Sequence, residues 1–209
     1  MTRTYLLLFL LIFFYSVSYS QKGTVGADSK KAIDILFIGN SLTYTNNLPN
    51  LVKRSAKQHG TKINSKTIAL PNYAIADHWN EEQIQKLIAS KKYDYVVIQQ
   101  GPSSQSDGRK MLMDYGKKYS ELCISNSAKL CFFMVWPSLK YFHTFEGVVK
   151  NYRDAAVANK SILLPVGEEW KEYIEKTNDL SYYGPDGFHP SLKGSQIAAD
   201  VIVDYLFKD

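Results

Sequence analysis

The chain has 209 residues, 45% of them hydrophobic and 22% charged, with a net charge of +5 and two cysteines. That composition excludes a disordered tract, a collagen-like repeat and a cysteine-dense scaffold, and it fits one globular core. Its lysines stand singly or in pairs, as in Lys30-Lys31, Lys91-Lys92 and Lys117-Lys118. A nucleic-acid groove needs an arginine-rich stripe interleaved with aromatics, so nucleic acid is not an expected partner.

The chain opens with Arg3, a nearly unbroken apolar run from Tyr5 to Val17, and Ser18-Tyr19-Ser20. This is the layout of a secretory signal peptide, and the run is shorter than the roughly 20 apolar residues of a spanning helix. The reading is a cleaved signal over 1–20, a polar linker over 21–31 and a folded domain over 32–209. It implies a secreted or periplasmic protein without stable membrane insertion. Cleavage lowers the net charge by one, because Arg3 is the only charged residue removed.

From there short apolar runs alternate with longer helical patterns. The predicted strands are Ile33–Ile38, Ile63–Leu70, Tyr95–Gln99, Leu130–Val135 and Ile162–Leu164. The predicted helices are Leu48–Gln58, Asp77–Ser90, Arg109–Asn126, Phe145–Asn159, Gly167–Thr177 and Ser191–Phe207. Three of the strands are continuous β-branched or aromatic runs, as strands covered on both faces tend to be. The alternation predicts an α/β domain, a three-layer α/β/α sandwich around a parallel sheet of about five strands. Cys123 falls near a helix end and Cys131 near the next strand start. They could pair in an oxidising compartment, but two buried apolar thiols are favoured, and neither has a partner at zinc-ligand spacing.

In such sheets ligands bind at the carboxyl ends of the strands. The first predicted strand ends in Gly39-Asn40-Ser41-Leu42-Thr43, which places a hydroxyl where the sheet hands over to a helix. Free backbone N–H groups there can hold the oxyanion formed when a hydroxyl attacks an ester carbonyl. The same residues could simply cap the turn. Near the other end lies Gly184-Pro185-Asp186-Gly187-Phe188-His189-Pro190, so one turn supplies an imidazole base and a carboxylate able to orient it. An Asp beside a His in a surface turn is also an ordinary structural arrangement.

Together these two segments resemble the first and last sequence blocks of the SGNH (GDSL-type) hydrolases. The chain is similar to a bacterial branch of that family through Gly39 to Thr43, Asp77-His78-Trp79, Gln99 to Ser103, Trp136-Pro137 and Pro165-Val166-Gly167. The match runs from about Ile33 to Phe207. The resemblance implies the flavodoxin-like SGNH fold, a secreted esterase needing no metal or cofactor, and a triad of Ser41, His189 and Asp186. It implies an oxyanion hole built from Ser41, from Asn72 where the family usually has Gly, and from Gln100 or Ser103 where it usually has Asn. Asn tolerates the positive φ that Gly supplies. Trp136 and His143 are the expected substrate contacts. His143 lies in an aromatic loop that could either wall the site or pack on its neighbours. His78 with Asp77 is expected to cap and pack, or failing that to touch substrate, and His59 beside Gly60 is expected to be structural.

The implied substrate is a small-molecule or carbohydrate ester, acetylated extracellular carbohydrate above all. The alternatives are a thioesterase or lysophospholipase of the same fold, transfer to a sugar hydroxyl instead of water, or a carbohydrate-binding relative that has lost the chemistry.

Overall fold

The computed structural model describes residues 31–207. The expected signal peptide and most of the linker lie outside that range. Five parallel strands form one sheet in the order β2-β1-β3-β4-β5: β1 is Ile33–Gly39, β2 Ile63–Ala69, β3 Tyr95–Ile98, β4 Lys129–Phe133 and β5 Ile162–Leu164. While the edge strand β2 is exposed through its middle, the three central strands β1, β3 and β4 are buried because helices cover both faces, with Ile35 to Ile38 and Val96 to Ile98 sealed from solvent. This is the physical reason those segments read as unbroken apolar runs.

Helix α2 (Leu48–Gln58) packs on α8 (Leu192–Phe207) over one face. Over the other lie α3 (Ile75–Asn80), α4 (Gln83–Ser90), α5 (Ser106–Ser125) and α6 (Phe145–Ala158), while α7 (Val166–Thr177) touches both α6 and α8 beyond β5. The chain leaves β1 for β2 at one edge and then crosses back to β3 on the other side of β1. Winding therefore reverses between β1 and β3, and a crevice opens at their carboxyl ends.

Two elements differ from the sequence expectation. The single helix expected over Asp77–Ser90 is two, broken where Glu82 adopts φ 57° and the Gln85 side chain donates to the Trp79 carbonyl at 2.7 Å. A four-residue helix, α1 (Ser41–Tyr44), follows β1 and is too short to leave a periodic signal.

Cys123 and Cys131 are both free and buried, and burial pushes the Cys123 thiol up to about 12 and the Cys131 thiol higher still. Thiolates are the reactive species, so both should be inert in the native protein. Ellman's reagent is expected to detect no thiol until denaturant is added and then two per chain; a chain that stays unreactive when unfolded would carry a disulfide instead.

Candidate active site

The nucleophile candidate sits on a turn whose neighbouring polar side chains, Asn40 and Thr43, are committed. Asn40 caps α1, its side chain accepting from the Leu42 N–H at 3.1 Å and donating to the Tyr73 carbonyl at 3.0 Å. The Thr43 hydroxyl donates to Gln99 Oε1 at 2.9 Å. Capping therefore falls to Asn40, and the Ser41 hydroxyl is left for another partner. That partner is His189, whose Nε2 lies 2.8 Å from Ser41 Oγ across 148 residues of sequence.

On its far side His189 Nδ1 lies 2.6 Å from Asp186 Oδ2. The other carboxylate oxygen accepts the N–H groups of Phe188 at 3.0 Å and His189 at 2.9 Å, so Asp186 organises the turn as well as the ring. The bond with His189, then the Phe188 N–H, hold this carboxyl below the usual carboxylate range although its side chain is half exposed. A carboxylate can only accept, so Nδ1 carries the ring hydrogen and Nε2 presents a lone pair to the Ser41 hydroxyl. Chemically, this chain lets the imidazole take the serine proton while the carboxylate stabilises the resulting cation.

The loop is anchored to the end of β4. The Trp136 indole donates to the Phe188 carbonyl at 3.0 Å, Leu139 N–H to the Gly187 carbonyl at 2.8 Å, and the Tyr183 hydroxyl to the Pro137 carbonyl at 2.8 Å. Gly187 takes φ 67°, which a residue with a side chain adopts only under strain. Trp136 is wholly buried, with its ring stacked 3.5 Å from that of Trp170. This corrects the expectation of a substrate contact: Trp136 supports the loop from beneath and presents no surface to a ligand.

Asn72 follows β2 at φ 62°, the positive value expected of a residue standing in for Gly. The N–H groups of Ser41 and Asn72 make no hydrogen bond among the described residues. Gln100 follows β3; its Oε1 accepts from the Ile75 N–H at 2.9 Å, and its Nε2 has no partner among the described residues. Because Ile75 contributes a donor, the oxygen of that amide must face it, and the assignment is unambiguous. The Ser103 hydroxyl is spent on the Gly101 carbonyl at 2.9 Å, and Ser103 is buried.

His143 is exposed, against Tyr141, and His78 is buried with Nε2 2.7 Å from the Gly39 carbonyl. His78 thus packs beneath the site, while Asp77 caps α3 by accepting the Ala74 N–H. A cavity of about 720 Å³ borders the arrangement, walled by Pro102, Pro137, Leu139, Tyr141, Asp186 and Phe188 among others. Asp186, Gly187 and Phe188 line it, whereas Ser41 and His189 do not. Among the described residues no group of three or more His, Cys, Asp or Glu side chains could hold a metal ion. Sequence reasoning missed Gln99, which is buried at the base of the turn; its only signal was being a polar residue at the end of an apolar strand.

No family model and no curated protein matches the sequence. Solved structures do share its fold. A candidate SGNH hydrolase from Slackia heliotrinireducens aligns at a TM-score of 0.72 and 22% identity, covering 84% of this chain and all of its own length. A lipase/acylhydrolase from Enterococcus faecalis aligns at 0.66 and 16% identity, over 83% of this chain and 95% of that one. A variant of an acetyl-xylooligosaccharide esterase from Geobacillus stearothermophilus aligns at 0.61 and 16% identity, over 85% and 95%. The architecture is that of the SGNH hydrolases.

The tautomer argument can be checked directly. Nitrogen-15 NMR of the imidazole is expected to find the His189 hydrogen on Nδ1 in the neutral protein. In Asp186→Asn the Asn oxygen can keep the two backbone bonds while its NH₂ faces Nδ1, which drives the hydrogen to Nε2. An unchanged tautomer in that variant would mean Asp186 does not orient the ring.

Proposed function

We propose that the protein is a serine hydrolase of carboxylic esters, with Ser41 as nucleophile, His189 as base and acid, and Asp186 as the group that orients His189. The observation that carries this reading is the unbroken hydrogen-bond chain from Ser41 Oγ through His189 to Asp186, with links of 2.8 and 2.6 Å. Three side chains drawn from two distant segments meet in the order that acyl transfer requires.

In the reaction Ser41 Oγ attacks the carbonyl carbon as its proton passes to His189 Nε2. The tetrahedral intermediate then collapses, its alcohol leaving with that proton. The acyl group remains on Ser41 until water, deprotonated by the same nitrogen, releases it as the acid. The Ser41 and Asn72 N–H groups and the Gln100 side-chain nitrogen have no hydrogen-bond partner among the described residues, and we assign the oxyanion to them. Each is worth about 2.7 to 4 kcal/mol of barrier. Ser103, whose hydroxyl already has a partner, is the weaker candidate.

Acetyl esters of extracellular carbohydrate are the favoured substrates. The signal-like sequence over residues 1–20, the half-exposed His189–Asp186 pair and the acetyl-xylooligosaccharide esterase among the fold's relatives support that choice. The adjoining cavity, largely apolar and large enough for a drug-sized molecule, favours a second reading as a thioesterase or lysophospholipase with a longer acyl group. An inactive carbohydrate-binding relative would have no need to keep a hydroxyl and an imidazole in hydrogen-bond contact. The exposed His143 stays a candidate substrate contact.

Turnover of p-nitrophenyl esters from two to eight acyl carbons is expected to be fastest at two; a maximum at eight would favour the second reading. A fluorophosphonate should label Ser41 once and stop turnover, and Ser41→Ala should abolish both. Asp186→Asn is expected to cost up to about 10⁴-fold in kcat with little change in KM; a variant within a few-fold of the parent would sink the triad. Asn72→Gly should keep activity, whereas Asn72→Val should lose about 10²- to 10³-fold, since a β-branched residue resists positive φ. An unchanged Val variant would remove Asn72 from the oxyanion hole.

A further inference from the structure

Gln99 is fully buried; its backbone N–H and its side-chain oxygen bond across to the β1 end, and its side-chain nitrogen bonds to the adjacent Gln100. Its Oε1 accepts the Asn40 N–H at 2.9 Å and the Thr43 hydroxyl at 2.9 Å, so it grips the turn on both sides of Ser41. Its Nε2 donates to the Gln100 carbonyl at 2.9 Å, a carbonyl that also accepts from the wholly buried Tyr152 hydroxyl. The amide cannot be flipped: a backbone N–H demands the oxygen at one end and a carbonyl demands the nitrogen at the other. Gly39 leaves the room for it. A Cβ there would lie 2.5 Å from Gln99 Oε1 and 2.3 Å from Thr43 Oγ1, closer than such atoms approach.

From this geometry we propose that Gln99 is a positioning residue that fixes the nucleophile turn and the Gln100 oxyanion donor relative to one another through a single buried amide. The inference rests on the hydrolase reading and adds to it: Gln99 touches no reacting atom and acts through Asn40 and Gln100. The paired register ends at Ile38 and Ile98, and the backbone bond from the Gln99 N–H to the Ile38 carbonyl at 2.8 Å follows it; past that bond the Gln99 side chain joins the two strand ends through Asn40 and Thr43. A donor displaced by even a fraction of an ångström serves the ground state and the transition state less differently, and that loss appears in kcat.

The informative substitution is Gln99→Glu, which keeps the shape and the acceptor toward Asn40 but sets an oxygen against the Gln100 carbonyl. Steady-state kinetics on p-nitrophenyl acetate are expected to give a kcat reduced about 10²-fold, the scale of one lost oxyanion donor, at a KM within a few-fold of the parent. In a Gln100→Ala background the same change should cost far less, because the donor it positions is already gone. Equal losses in both backgrounds, or a folded Gln99→Glu enzyme with parental kcat, would overturn the proposal. Should Gln99→Glu fail to fold, Thr43→Val removes one of the three bonds and leaves the amide in place. It is expected to lower kcat several-fold and to slow phosphonate labelling of Ser41 equally, and unchanged values would count against the idea. A parent without Ser41-dependent turnover would defeat the hydrolase reading instead. Positioning would then be read from the Gln100 side-chain amide resonances, which should shift in Gln99→Glu whether or not the protein is active; resonances that stay put would overturn positioning as well.

Discussion

The site depends on β1 and β3 ending side by side. Both strands are buried on both faces, and their parallel register sets Ile38 against Ile98. The chain then turns into α1 from one strand and into the Gln99–Ser103 segment from the other, which brings two sets of polar backbone groups together with little water to satisfy them. Such groups must find partners inside the protein. The partners are side chains: Gln99 for the Asn40 N–H and Gln100 carbonyl, Asn40 for the Leu42 N–H and His78 for the Gly39 carbonyl. The N–H groups of Ser41 and Asn72 and the Gln100 side-chain nitrogen, without a partner among the described residues, lie at the ends of three adjacent strands.

The second arm of the site is held by different forces. The turn from Asp186 to His189 comes from the far end of the chain and would be a mobile surface loop if it stood alone. Four attachments prevent that: the Trp136 indole, the Leu139 N–H, the Tyr183 hydroxyl and the bond from the Gly184 N–H to the His189 carbonyl at 2.7 Å. Trp136 is itself stacked on Trp170 from α7, and Trp170 packs against Tyr182 and Tyr183. Aromatic packing beneath the loop, well away from solvent, thus sets the height at which the imidazole meets Ser41.

Electrostatically the arrangement is an open one. Asp186 keeps its charge through hydrogen bonds and not through isolation from water, since its side chain is 53% exposed. The carboxylate therefore carries little desolvation cost, and its main effect on His189 is geometric, fixing tautomer and ring plane. The cavity beside it is walled by the Leu139–Thr144 segment after β4 and by the Asp186–Phe188 turn. Changes in that segment can reshape the space next to the site without moving the three hydrogen-bonded residues, because among the described residues its one main-chain tie to the turn is the Leu139 bond to Gly187.

The alternation of short apolar or β-branched runs with helical patterns was enough to read the five strands, the parallel sheet and most helices from the sequence, and the central strands were clearest because strands buried on both faces must be continuously apolar. Ser41, Asp186 and His189 were legible for a related reason: each lies in a short polar segment at a strand end or before a helix, where such residues contrast with the core around them. The break between α3 and α4 was not legible, since one residue at positive φ leaves no trace in periodicity. Nor was the burial of Trp136, whose chemistry suits a binding surface as well as a core. The bonds of Gln99, the pairing of the Gln100 oxygen with the Ile75 N–H and that of the Ser103 hydroxyl with the Gly101 carbonyl depended on which donors and acceptors the folded chain brings together. Hydrophobic pattern is a property of neighbours along the chain, whereas hydrogen-bond satisfaction is a property of neighbours in space, and only the tertiary structure decides the second.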